Sequence, residues 1–71
     1  MIESLRQFIY EASCIDGAEI ELSEQFWKKL YRMLDNIDTV EAEFLVEQMD
    51  IYKSSRSIPL HLAQHIYEVL S

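Results

Sequence analysis

Between Ile2 and Leu70 the apolar residues recur at three- and four-residue intervals in four runs, and only short polar stretches separate them. Such spacing places apolar side chains on one side of a helix, whereas a half-buried strand would need strict alternation. The pattern therefore predicts four short helices, over about 2–13, 23–36, 39–53 and 58–70, joined by an extended loop over 14–22. Short helices with tight connections pack as a compact bundle, so the expected fold class is all-α, one domain spanning 1–71.

The first run sets Ile2, Leu5, Phe8, Ile9 and Ala12 on one arc, and Asp16-Gly17 breaks it. Ile20 and Leu22 then alternate with Glu19 and Glu21. No partner strand is evident nearby, so this stretch reads as a loop laid across the bundle with two apolar anchors; a short strand is the alternative. Ser23 suits an N-cap, with Leu22 before it placed to staple onto Trp27. Phe26, Trp27, Leu30, Met33, Leu34 and Ile37 form the second apolar stripe, with Tyr31 at its edge. Asp38-Thr39-Val40-Glu41 reads as a capping box opening the third helix, with Asp38 as the cap. Pro59 is tolerated in the first turn of the fourth helix, which buries Leu62, Ala63, Ile66, Tyr67, Val69 and Leu70 and leaves His61, Gln64, His65 and Glu68 outside.

The third helix departs from the one-faced pattern. Ala42, Leu45, Val46, Met49 and Tyr52 gather on one side, and Val40, Phe44 and Ile51 gather roughly opposite. A helix in so small a domain normally needs one apolar face, so the second is expected to meet a partner. Glu47 falls on that second face, which argues against its burial inside one chain. Partner-binding residues are accordingly expected at Val40, Phe44 and Ile51, rimmed by Glu43, Glu47 and Asp50. The competing reading is a central third helix touching neighbours on both sides.

Charge narrows the partner class. The 71 residues carry a formal −7, so nonspecific attraction to nucleic acid or anionic lipid is disfavoured. Asp35, Asp38, Glu41, Glu43, Glu47 and Asp50 follow one another with no Lys or Arg between them, a run that keeps the domain soluble or attracts a basic protein. Lys28, Lys29 and Arg32 make a basic strip on the second helix, half of the six Lys and Arg in the chain. Its simplest use is pairing with the acidic third helix, within one chain or between two.

Chemistry-bearing residues are sparse. His61 and His65 stand four apart with Glu68 three further on, a spacing able to chelate, yet no carboxylate follows the first His as in zinc proteases. Two solvated histidines are the simpler account, and no metal or cofactor is expected. The single Cys14 has no disulfide partner and is expected as a buried or partly buried structural thiol. Ser54, Ser55 and Ser57 around Arg56 read as a polar turn before the fourth helix, with an anion or phosphate site as the alternative. No apolar run approaches the ~20 residues of a membrane span, and no secretory signal opens the chain, so a cytoplasmic setting is expected.

A non-enzymatic protein–protein interaction module is the expectation, acting as inhibitor or adaptor through its third helix, with a protein partner for which the acidic run favours a basic surface, and self-association as a homodimer. The alternatives are a structural subunit of a hetero-complex and, more weakly, a nucleic-acid regulator using Lys28, Lys29 and Arg32 with Arg56.

Overall fold

Backbone donors at a helix start need partners, and two hydroxyls mark where the two middle helices begin. Ser23 is extended (φ −65°, ψ 158°), and its Oγ accepts the Phe26 N–H at 3.2 Å. Thr39 is also extended (φ −134°, ψ 156°), and its Oγ1 accepts the Ala42 N–H at 3.1 Å. The computed structural model describes residues 2–15 and 19–71. Within them lie α1 (Ile2–Ala12), β1 (Glu19–Glu21), α2 (Glu24–Asp35), α3 (Val40–Ile51), β2 (Ser57–Pro59) and α4 (Leu60–Leu70). The expected break at Asp16-Gly17 lies outside the described residues, as does the side chain of Ile2.

The Ser23 cap and the burial of both Leu22 and Trp27 match the sequence expectation. The cap of α3 does not. It is Thr39 rather than Asp38, which moves the third helical position to Ala42 and leaves no capping box. Starting one residue earlier would put β-branched Thr39 inside the first turn, where its stiff χ1 is less favourable than at the cap. Replacing Thr39 by Ala is expected to cost about 0.5–2 kcal/mol in urea unfolding, and Asp38→Ala distinctly less. Equal losses at the two positions would return the cap to Asp38.

The larger correction concerns fold class. The chain is mostly helical but not all-α, because the 14–22 segment contains a strand. β1 pairs antiparallel with β2 in the register Glu19↔Pro59, Ile20↔Ile58 and Glu21↔Ser57. Proline disfavours helical geometry in the residue before it, so Ile58 is extended and α4 starts only at Leu60, with Pro59 as an N-cap residue rather than inside the first turn. The Leu22 N–H donates to the Arg56 carbonyl at 2.8 Å, and Arg56 Nε donates back to the Leu22 carbonyl at 3.4 Å. Ser57 Oγ donates to Glu19 Oε2 at 2.8 Å. Arg56 has φ 55°, a left-handed conformation that turns the chain from α3 into β2, and its N–H bonds the Tyr52 carbonyl at 2.8 Å. A non-glycine residue held there costs about 1–3 kcal/mol, which the paired strands offset.

Around this clasp α1 packs on α4, α4 on α3, and α3 on α2. Leu5, Leu30, Ala42, Leu45, Met49, Ile58, Ala63 and Ile66 are completely buried, with Ile20, Leu22, Trp27, Leu34 and Leu62 nearly so. No polar or charged residue is buried among the described residues. Of the other apolar residues expected inside, Ile9, Phe26, Tyr67, Val69 and Leu70 are only partly buried but pack against this core, whereas Phe8, Met33 and Ile37 lie at its edge. Phe8 packs edge-on against Phe26, with ring centroids 5.6 Å apart and planes at 70°, and so joins α1 to α2 at the rim. Met33 and Ile37 are also only partly covered.

Candidate partner-binding surface

The site follows from how α3 is clamped. Ala42, Leu45 and Met49 on its inner side are completely buried, and Val46 and Tyr52 pack partly against the same core. With α2 on one flank and α4 on the other, the remaining side of α3 faces solvent. Val40 is 82% exposed, Phe44 49% and Ile51 66%, so the second apolar face is not covered by the chain's own elements. At 100° per residue these three side chains fall within an arc of about 40°.

Carboxylates border that stripe on both sides. Glu43, Glu47 and Asp50 are exposed on the flank toward α2, while Glu41 and the half-buried Gln48 lie on the flank toward α4. His65 on α4 places its Nε2 3.9 Å from Glu41 Oε2. Between α2 and α3 runs an open groove of about 450 Å³. Its apolar lining is Leu34, Ile37 and Val46, and its acidic lining is Asp35, Asp38, Glu43 and Glu47. The sequence reading missed this groove. Its signal was the acidic run from Asp35 to Glu47 with Ile37 and Val46 inside it, but only the crossing of two helices brings those residues to one trough.

The basic strip lies elsewhere and is used differently. Lys28, Lys29 and Arg32 are exposed on α2, and Lys28 Nζ contacts Glu24 Oε1 on the same helix at 3.4 Å. Among the described residues no ion pair joins α2 to α3, so the expected pairing within one chain is not made. An exposed i,i+4 pair of this kind contributes at most about 0.5 kcal/mol. Arg56, which a nucleic-acid surface would borrow, is held by the Leu22 carbonyl.

The remaining chemical candidates are dispersed. His61 and Glu68 are exposed, and His65 turns toward Glu41. No group of three potential metal ligands converges among the described residues. Cys14 is exposed rather than buried, because α1 has ended at Ala12 and the thiol lies outside its inner face, 3.7 Å from the Tyr10 carbonyl. Ser55 Oγ donates to the Tyr52 carbonyl at 3.3 Å and accepts the Ser57 N–H at 3.4 Å, so its hydroxyl stabilises the turn.

No protein-family model, curated protein or solved structure matches the chain. No helix among the described residues is long and apolar enough to cross a membrane.

Proposed function

We propose that this chain is a small acidic protein–protein interaction module of the cytoplasm that docks a partner on the outer face of α3 and acts by occluding or bridging it. The observation that carries the reading is the half-exposed ring of Phe44 between exposed Val40 and Ile51, on a helix whose opposite side is anchored in the core by the completely buried Ala42, Leu45 and Met49. Three exposed apolar residues on one arc of a single helix, interrupted only by Glu47, mark a contact surface more readily than scattered apolar residues do. The action is steric and electrostatic, with no catalytic step and no cofactor: the apolar residues anchor, and Glu43, Glu47 and Asp50 at the rim steer encounter and disfavour anionic competitors. Size supplies a second motive for association, since a domain of ~60 residues buries only ~60% of its unfolded surface and is marginal alone. A structural role as one subunit of a hetero-complex uses the same face, with the partner present constitutively.

Phe44→Glu tests this. Chemical cross-linking and co-purification from the native cells should recover a stoichiometric partner with the parent chain. The variant should retain the helical circular-dichroism signal, melt within about 1 kcal/mol of the parent, and bind at least about 30-fold more weakly. Unchanged association would defeat the proposal. Outright unfolding would place Phe44 in the core and defeat it equally.

A further inference from the structure

Resting on the α3 docking reading, we infer that the occupant is a cationic amphipathic segment of another protein, whose apolar stripe covers Val40, Phe44 and Ile51 and whose Lys or Arg border enters the groove between α2 and α3.

Three properties of the surface select that chemistry. First, the stripe and the groove are continuous. Glu43 and Glu47 belong to both, so the surface runs from apolar ridge through carboxylates to the apolar floor at Ile37 and Val46. An occupant that covers the ridge must also meet the carboxylates. A neutral apolar occupant would desolvate Glu47 without a counter-charge, a cost that only pairing offsets. Arginine suits the position best, because its planar fork can engage two carboxylate oxygens at once.

Second, the surface is not complementary to itself. From Val40 to Ile51 there is no Lys or Arg. Two copies of α3 placed face to face about a twofold axis can run antiparallel or parallel. In the antiparallel pair the Glu43, Glu47 and Asp50 flank meets its own copy. In the parallel pair it meets Glu41 and Gln48. Neither arrangement supplies a cation. Lys28, Lys29 and Arg32 on α2 of another copy are the one cationic strip this chain could itself supply, and a reciprocal twofold contact of that kind is the dimer that the light-scattering arm of the test reads.

Third, the sign of the field excludes the other extended partners. Phosphate backbones and anionic lipid surfaces would meet four carboxylates in the groove and a chain of net charge −7. The same field accelerates the encounter with a cationic segment, and salt screens that acceleration.

The test titrates the full chain, ¹⁵N-labelled, with three synthetic peptides of equal length: an amphipathic helix of Leu and Lys, the same helix with Gln for Lys, and a scrambled Leu/Lys sequence of equal charge. The amphipathic Leu/Lys peptide is expected to shift amides of α3 and the end of α2. Its binding should weaken about tenfold between low and physiological salt, and about tenfold again in the Asp38→Asn, Glu47→Gln double variant. Phe44→Ser, checked for folding by circular dichroism, should also weaken it. Equal binding of the scrambled peptide, or shifts spread over the whole surface, would reduce the effect to diffuse charge attraction and overturn the inference. Equal binding of the Gln peptide, or a concentration-dependent dimer that Phe44→Glu dissociates in light scattering, would overturn the cationic occupant while leaving α3 as a docking face. Absence of peptide binding at α3, with no association altered by Phe44→Glu, would defeat both.

Discussion

Leu45→Ala is expected to lower folding stability by about 2–5 kcal/mol, whereas Val40→Ala, five residues earlier on the same helix, should change it by no more than about 0.5 kcal/mol. The contrast follows from packing. Leu45 is completely buried between Ala42 and Met49, so truncation leaves a cavity that the surrounding helices can only partly fill. Val40 is 82% exposed and loses little when shortened. At about 0.05–0.15 kcal/mol per residue, a chain of this size has roughly 4–10 kcal/mol in total, so the Leu45 variant should be partly unfolded near physiological temperature. Trp27, the single tryptophan and nearly buried, reports the transition by fluorescence in urea. If the two variants melted alike, α3 would be packed on both faces and the docking surface would disappear with that result.

Ile58→Asp is expected to abolish cooperative folding, with a loss above about 4 kcal/mol. Ile58 is completely buried opposite Ile20 in the two-stranded clasp, and no buried polar side chain among the described residues offers the new carboxylate a partner. The substitution therefore removes apolar burial and adds an uncompensated charge, two losses in the same place. Ser57→Ala is the matched control. It removes the bond to Glu19, which lies at the surface, and should cost only about 0.5–1.5 kcal/mol. A tolerated Ile58→Asp would mean that residue 58 is not held in the clasp but lies at the surface, in the first turn of the fourth helix where sequence spacing alone started it.

Local features were legible because their causes are local. Ser23 precedes a strong apolar period, so its hydroxyl and the Leu22–Trp27 pair could be placed from neighbouring residues. The opposition of Leu45 and Val40 on α3 follows from helical geometry alone. The α3 cap was harder to place, since Asp38 and Thr39 are both good cap residues and adjacent, and the choice depends on where the helix enters the bundle. Phe8 and Cys14 were misplaced for a related reason: a side chain at the edge of a helix face, as Phe8, or just beyond a helix end, as Cys14, can lie at the rim or in the core, and only neighbouring elements decide which.

The sequence by itself determined four helices, their approximate limits, the inner faces of α2 and α4, and the two-sided character of α3, because periodicity acts within a few turns of one segment. Tertiary structure alone decided that Glu19 and Ser57, 38 residues apart, would hydrogen-bond, and that β1 would therefore be a strand. It also decided that α2 and α4 would flank α3 without covering Val40, Phe44 and Ile51, and that Asp35, Asp38, Glu43 and Glu47 would share one groove. Strand pairing, coverage of a face and convergence of charges from two helices are all contacts between distant segments, and their geometry exists only once the chain has closed on its core.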